Sequence, residues 1–278
     1  MKSAPTSVPI PGSRTVIHGI DFSGADGGGA AKIRIAEREL AAKSVVAIRP
    51  RVDRNGLRRL IVECARDGRE HLWRIDAPFG LARESLVAGV SGLPEGREPT
   101  WLEVAEWMAS FPNARAWRGA MRESSRREPK RTCDRALHTP LAPMNLRVFK
   151  QTFTVITEIL LPLAREGVAI MPVAMPTGSG AHALPSTRVF EGCPASVLRH
   201  RGWPAKGYKG GGEPPRAVRE EIVRLLRRDG LEIASETAVE AIQDAEGDLL
   251  DAILLTTAPI APPDGGVPPE ALLEAWVY

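Results

Sequence analysis

The sequence is poor in cysteine and contains no long hydrophobic run. Its 278 residues include three cysteines, Cys64, Cys133 and Cys193. Their odd number and wide separation argue against a disulfide-stabilised fold and predict a reducing, cytoplasmic compartment. No stretch approaches the roughly 18 consecutive apolar residues of a membrane-spanning helix, and residues 1–14 lack the apolar segment of a secretory signal. We therefore expect a cytoplasmic protein without a membrane partner.

Motifs of several protein classes are missing as well. The five histidines do not follow zinc-finger or H-E-x-x-H spacing and no C-x-x-C pair occurs, which argues against the common zinc sites. The absence of a G-x-x-x-x-G-K-[ST] loop and of a G-x-S-x-G elbow disfavours Walker-type NTPases and α/β-hydrolases. The 37 basic and 34 acidic residues give a formal net charge of +3, which by itself indicates no polyanionic partner.

The hydrophobic fraction of 43% is sufficient for a folded core. The length corresponds to one large or two small domains, and 26 glycines and 24 prolines predict many loops. Residues 1–13 are rich in proline and serine, which predicts a disordered lead-in. We expect residues 14–278 to form a single domain with a mostly helical insertion at about 83–185.

Hydrophobic periodicity predicts an α/β fold. The predicted strands span residues 14–21, 32–40, 44–48, 71–76, 168–175 and 187–191. The predicted helices lie at 53–67, 101–111, within the basic stretch 115–150, at 147–165, from 194 onward, and at 216–228, 237–243 and 248–258. Short connections between the first three strands predict an antiparallel meander, and the later strands are expected to continue the sheet in parallel, with helices on both faces.

Three segments share one pattern, in which an apolar run is followed by a carboxylate and then by a turn. The carboxylates are Asp21, Asp76 and Glu191. A fourth acidic element places Asp248 and Asp251 three residues apart, on one face of a predicted helix. Acids at the carboxyl ends of strands lie at the edge of the sheet where α/β ligand sites form. We expect the five carboxylates to converge.

Converging carboxylates repel one another, and hard divalent cations such as Mg²⁺ or Mn²⁺ relieve that repulsion. Two such ions about 3.5–4 Å apart can support in-line cleavage of a phosphodiester.

Structural roles remain open for each residue: Asp21 and Asp76 as turn formers, Glu191 as a cap of the following helix, and Asp248 as the N-cap of the last predicted helix. Asp251 lies within an apolar helix, where an unpartnered acid is costly.

Basic residues are concentrated in two segments. Residues 115–150 hold ten Arg or Lys and three acids, a local charge of +7, and residues 199–228 hold nine and three, a charge of +6. Basic walls around an acidic floor suit a nucleic acid, and Trp117 and Tyr208 are candidates for stacking on bases. The alternative is a pair of solvated helix faces with surface ion pairs. Trp101 and Trp107 fit a helix core better than a binding surface.

Several short strings resemble the domain of unknown function 429 family. They are G-I-D-F-S-G-A (19–25), I-D-A-P-F-G (75–80), R-T-C-D-R (131–135), F-E-G-C-P-A (190–195), G-Y-K-G (207–210) and D-L-L-D-A-I (248–253). Members of that family are regarded as predicted nucleases of the ribonuclease-H-like superfamily. Cys193 stands where the family pattern has a tyrosine.

The resemblance implies a ribonuclease-H-like fold and a nuclease site. The implied metal ligands and catalytic residues are Asp21, Asp76, Glu191 and Asp251, with Asp248 as a further ligand. Arg131 and Lys209 lie inside family-like strings and are the expected phosphate contacts, and we add Arg135 and Tyr208 as expected substrate contacts.

The favoured hypothesis is a nuclease that hydrolyses DNA or RNA at a carboxylate-bound site for two divalent ions, Mg²⁺ or Mn²⁺. An actin-like or sugar-kinase-like ATP-binding protein is an alternative, because the loop 21–29 opens with an acid and is rich in glycine. A second alternative is a nucleic-acid-binding module without catalytic activity, whose binding would be sensitive to salt and insensitive to chelators.

Overall fold

Six strands in the described part of the chain form one mixed sheet. The computed structural model describes residues 15–27, 31–40, 45–86, 90–94, 96–124, 128–176, 184–262 and 266–278. The strands are β1 (Thr15–Asp21), β2 (Ile33–Glu39), β3 (Ala47–Val52), β4 (Glu70–Asp76), β5 (Val168–Ile170) and β6 (Leu184–Gly192). Their order is β3-β2-β1-β4-β6-β5, antiparallel from β3 to β1 and parallel from β1 to β5. The predicted mixed α/β class is confirmed.

Helices form most of the remaining described structure. They are α1 (Arg54–Cys64), α2 (Arg83–Leu86), α3 (Trp101–Ala109), α4 (Ala114–Ser124), α5 (Thr132–Ala136), α6 (Phe149–Thr154), α7 (Leu161–Arg165), α8 (Pro194–His200), α9 (Glu213–Arg228), α10 (Ser235–Gln243), α11 (Asp248–Leu254) and α12 (Ala271–Glu274). A π-helical segment, Val155–Leu160, joins α6 to α7. Among the described residues, no helix has both the length and the apolar character that crossing a membrane requires.

Helices cover both faces of the sheet. On one face, Ile20, Trp73 and Val189 belong to a buried cluster that includes apolar residues of α1, α3 and the π-helical segment. On the other face, α11 lies across β1 and β2, and its residues Leu250 and Ile253 are fully buried with residues of α8, α9 and α10. The sheet is therefore the central layer, and the α11 face is the one that carries the acidic side chains described below.

Gly19 allows α11 to lie directly on β1. A Cβ atom at this position would lie 2.0 Å from the carbonyl oxygen of Ala252 and 2.9 Å from the Cβ atom of Leu255. Real carbon–oxygen contacts are far longer, so a side chain here would push the helix away from the sheet. The glycine thus sets the distance between the end of β1 and the acidic residues of α11.

Several predicted boundaries are wrong for identifiable reasons. Strand β3 continues past Ile48 through Pro50 to Val52, because β3 is an edge strand and tolerates a residue without an N–H. The strand predicted at 168–175 ends at Ile170, where the chain turns and main-chain hydrogen bonds join Ile170 to Ala174. Within the described part of 115–150, helix is confined to α4, α5 and the first two residues of α6. The predicted lead-in, residues 1–13, lies outside the described residues.

The C-terminal segment is an element that the sequence pattern did not predict. Its helix α12 contains the buried Glu274, whose carboxylate accepts hydrogen bonds from the main-chain N–H groups of Arg83 (2.7 Å) and Thr132 (2.7 Å). After this helix, the main-chain N–H of Tyr278 donates to the carbonyl oxygen of Glu191 at the end of β6. The C-terminal segment therefore contacts β6 and the start of α5. In the sequence it follows the last predicted helix, which ends at residue 258.

Candidate metal centre

Two carboxylates meet because they end neighbouring parallel strands. Asp21 is the last residue of β1 and Asp76 the last residue of β4, and the two are direct partners in the β1–β4 register. Partners in a parallel register point to the same face of the sheet. That face is the one covered by α11, because Gly19, two residues before Asp21, also lies against α11.

Helix α11 supplies the third carboxylate. Its N-cap is Gly247, with a left-handed φ of 76°, and Asp244 accepts a hydrogen bond from the main-chain N–H of Leu249. Asp248 is therefore the first helical residue and does not serve as the N-cap. The flanking leucine and isoleucine residues of α11 are buried and fix the rotation of the helix, which directs Asp251, only 1% exposed, toward the two strand ends.

The three side chains form a compact oxygen cluster. One carboxylate oxygen from each of Asp21, Asp76 and Asp251 lies within 4.8 Å of the other two. Asp251 is fully buried and the other two acids are half-buried. Carboxylate oxygens are the preferred protein ligands of Mg²⁺ and Mn²⁺. These three residues are able to hold a divalent metal ion.

Burial and mutual repulsion make these acids hard to ionise without a cation. Burial, followed by the repulsion of Asp251, raises the pKa of Asp76 to about 8. Burial is also the main reason that the pKa of Asp21 lies well above its ordinary value, and the charges of Asp251 and Asp248 add to it. A divalent cation would relieve this cost, which is typical of sites built to bind one.

Asp248 contributes to this field from outside the oxygen cluster. It is half-buried, and its carboxylate is not one of the three that converge. Burial raises its own pKa, whereas Lys209 opposes the rise. The structure thus places four of the five predicted carboxylates on the α11 face at this end of the sheet and brings three of them together.

Asp251 already has two protein donors. The hydroxyl of Tyr208 donates to Oδ1 of Asp251 at 2.8 Å, and the ammonium nitrogen of Lys209 lies 2.6 Å from Oδ2. Although burial disfavours a charged ammonium group, the attraction of Asp251 raises the pKa of Lys209 above its ordinary value. Lys209 therefore acts as the fixed counter-charge of the cluster. Tyr208 is buried, and this corrects the expectation that it stacks on bases.

The loop after β1 is held against the helical layer. Arg54 donates from Nη1 to the carbonyl oxygen of Ala25 at 2.9 Å, and Gln151 donates from Nε2 to the carbonyl oxygen of Phe22 at 2.7 Å. Gly24 permits the contact, because a Cβ there would lie 2.4 Å from the main-chain nitrogen of Gln151. These contacts fix the chain that follows Asp21. Gly28 and Gly29, part of the predicted phosphate loop, lie outside the described residues.

Glu191 does not join the metal cluster, contrary to the sequence prediction. In the β4–β6 register, Asp76 faces Gly192 and Glu191 faces Ile75, so Glu191 points to the opposite face of the sheet. Its carboxylate accepts hydrogen bonds from the two terminal nitrogens of Arg131, at 2.7 and 2.5 Å, and from the main-chain N–H of Phe79 at 2.8 Å. Glu191 therefore forms a buried ion pair and has no role as a ligand in this arrangement.

Arg131 is consequently not a phosphate contact. Its side chain is 1% exposed and also pairs with Asp134, at 2.9 Å. The neighbouring predicted contact, Arg135, is exposed, donates to the carbonyl oxygen of Lys130 and does not line the cleft at the acidic cluster. Trp117, another predicted stacking residue, is fully buried. A run of charged residues in the sequence does not show which of its side chains form buried ion pairs and which are exposed to solvent.

The acidic cluster lies in a cleft of about 900 Å³. Exposed or half-buried basic side chains surround it: Lys32, Arg51, Arg147, Lys150, Arg199, Lys206 and Lys209. Among the described residues, Lys32, Arg51, Arg147 and Lys206 have no carboxylate within ion-pair distance, whereas Lys150 pairs with Asp26. The arrangement is an acidic floor with a basic rim.

Only part of the two predicted basic segments contributes to that rim. On α9, Arg216 pairs with Glu220 at 2.8 Å and Arg224 with Glu221 at 2.6 Å, so the exposed face of this helix is largely neutralised. Lys32 and Arg51 come from β-strand ends outside both segments. The sequence patterns did not identify these two residues as part of the site. The predicted antiparallel meander could have pointed to Lys32, because it places the start of β2 beside the end of β1.

Comparisons with protein-family models, with curated proteins and with solved structures each found no match.

Proposed function

We propose that this protein is a divalent-metal-dependent nuclease that hydrolyses phosphodiester bonds of DNA or RNA. The observation that carries the proposal is the convergence of Asp21, Asp76 and Asp251 within 4.8 Å at the floor of a cleft with a basic rim. An oxygen-only donor set with raised pKa values suits Mg²⁺ or Mn²⁺. A rim of lysines and arginines suits the phosphates of a nucleic acid.

The sheet order supports a ribonuclease-H-like fold as the scaffold of this function. An antiparallel meander followed by parallel strands, with acids at the ends of β1 and β4, agrees with the fold that the short strings imply. Asp251 on a late helix adds the third acid at the same edge. This likeness is one of topology and site placement.

In the proposed site, one group of residues binds the ion and another binds the nucleic-acid strand. Asp21, Asp76 and Asp251 would bind the ion, which when bound supplies positive charge to the phosphodiester and to an attacking water. The unpaired basic side chains of the rim orient the strand through its phosphates. The aromatic residues that line the described cleft are Phe22 and Tyr208, and both are buried. Through the described part of the cleft, recognition would therefore depend on charge and not on base stacking.

The direct test is cleavage of labelled DNA and RNA with Mg²⁺ or Mn²⁺. We expect cleavage that is abolished by EDTA and reduced by at least about 100-fold in Asp21→Asn, since one ion ligand is lost. Asp229→Asn, at the exposed end of α9, is the matched control and should retain activity. Absence of cleavage of any substrate with either metal would contradict the proposal.

A non-catalytic nucleic-acid-binding module is a second candidate. The observation in its favour is that Lys209 already provides Asp251 with a positive partner, so the cluster is partly neutralised without a metal. Such a module would bind nucleic acid with strong salt dependence, would cleave nothing, and would bind equally well in EDTA. Binding that weakens when Mn²⁺ is removed would exclude it.

A further inference from the structure

We infer that the ammonium group of Lys209 takes the place of a second divalent cation, so that the centre holds one Mg²⁺ or Mn²⁺ instead of two. The inference rests on the proposed metal site and concerns how this chain completes it. It replaces the two-ion expectation drawn from the sequence.

The contacts of Asp251 leave room for a single ion. Lys209 and Tyr208 each occupy one of its carboxylate oxygens, at 2.6 and 2.8 Å. Each oxygen keeps a second acceptor site, so Asp251 remains able to bind one ion together with Asp21 and Asp76. A second ion bound to Oδ2 of Asp251 at the position of the ammonium group would have to displace Lys209.

The position of Lys209 is fixed by the fold. Arg219, which is 2% exposed, donates from Nη1 to the carbonyl oxygens of Tyr208 (2.6 Å) and Gly210 (3.0 Å), the two residues on either side of Lys209. The main-chain N–H of Gly210 donates to the carbonyl oxygen of Ala245 at 2.7 Å. The loop is therefore held between α9 and the segment before α11. A lysine that merely lay over an acidic patch would not need this support.

The charge balance favours one ion. The three converging carboxylates carry three negative charges, and Lys209 contributes one positive charge, so a single divalent ion neutralises the group. With Lys209 in place, two divalent ions would leave an excess of two positive charges. If Asp248 is also counted, one ion leaves one negative charge and two ions leave one positive charge. In a partly buried site, such an excess is costly.

The ammonium group also faces the cleft. The side chain of Lys209 is 51% exposed, so its nitrogen can contact a phosphate oxygen while it remains beside Asp251. Lysine provides a compact point charge on a flexible stem, which suits this dual contact.

The stoichiometry of Mn²⁺ binding tests the inference without reference to activity. Electron paramagnetic resonance and calorimetry, on the full chain without nucleic acid, should show one Mn²⁺ bound per wild-type chain. Lys209→Met removes the charge and should bind two, with spin coupling between the ions. Lys209→Arg keeps the charge and should bind one. Lys206→Met, a cation of the rim that does not touch the acidic cluster, is the matched control and should also bind one.

The possible outcomes separate this inference from the proposed function. Two spin-coupled ions in the wild type, or one ion in both the wild type and a folded Lys209→Met, would overturn the role of Lys209 and leave the metal site intact. No ion bound by any of the four proteins would overturn the proposed function together with the inference. Circular dichroism melting of each variant verifies that it is folded.

Discussion

Replacing Asp76 by asparagine should stabilise the metal-free protein, although Asp76 is central to the candidate site. The carboxyl group is placed beside other acids, and its pKa is raised to about 8 by burial and by the charge of Asp251. No described residue donates a hydrogen bond to it. Asp76→Asn keeps the shape of the side chain and removes the charge that the folded state disfavours.

The magnitude follows from the pKa. A rise from 3.8 to about 8 corresponds to at most about 5–6 kcal/mol, since one unit corresponds to about 1.4 kcal/mol. Partial exposure and screening by salt reduce this figure, and we expect about 2–3 kcal/mol. Because the pKa is raised in the folded state, stability is lost as the pH rises from about 4 through 8. The advantage of the variant should therefore be small near pH 4 and largest above pH 8.

Chemical unfolding in EDTA, at acidic and alkaline pH, measures this effect. Saturating Mn²⁺ should reverse the order of stability, because ion binding stabilises the folded wild type by mass action and the variant has lost a ligand. Asp134→Asn is the matched control and should be destabilising, since Arg131 favours the charged form of this buried carboxylate and lowers its pKa despite burial. A less stable metal-free Asp76→Asn at alkaline pH would refute the reasoning.

Two further predictions address the parts of the fold that support the site. Arg131→Met leaves Glu191 and Asp134 buried without their counter-charge and should lower the free energy of unfolding by about 3–5 kcal/mol. The control Arg188→Met breaks a partly exposed ion pair and should lower it by less than about 1 kcal/mol. Equal losses in the two variants would contradict the account of the buried pair. Burial lowers the pKa of His18 to about 4, so an NMR titration should show a neutral ring down to about pH 5. The stability that the neutral ring contributes should be lost as the pH falls from 6.5 toward 4. A titration midpoint at or above pH 6.5 would contradict this.

The sequence predicted the convergence of Asp21 and Asp76 for a simple reason. The carboxyl ends of adjacent parallel strands meet at one edge, so an acid at each end is enough to place the two residues close together. Asp251 was predictable because a carboxylate within an apolar helix requires a partner. In each case the local pattern contains the information that decides the position.

Glu191 shows what the local pattern does not contain. It has the same apolar run, acid and turn as Asp76, but the face on which a strand side chain lies depends on the register with the neighbouring strand. A shift of one residue places Gly192, and not Glu191, beside Asp76. Register is set by contacts that are distant in the sequence, so the prediction could not be made from the segment alone.

The basic residues illustrate a second limit. Composition identified charged segments, but Arg131 and Arg219 are buried and bind carboxylates or carbonyl oxygens, whereas Lys32 and Arg51 reach the cleft from outside those segments. Burial is decided by tertiary packing, which a count of charges does not represent. The C-terminal helix α12 was missed for a related reason, since it is short and is fixed mainly by its contacts with α3 and α5.

The central claim is that Asp21, Asp76 and Asp251 together bind a divalent cation. A crystal soaked in MnCl₂ and measured at a wavelength with strong manganese anomalous scattering tests this most directly. We predict an anomalous peak bound by oxygens of all three carboxylates at about 2.1–2.2 Å, close to the distances typical of such ions. Full occupancy of other sites with no peak between these three side chains would contradict the account.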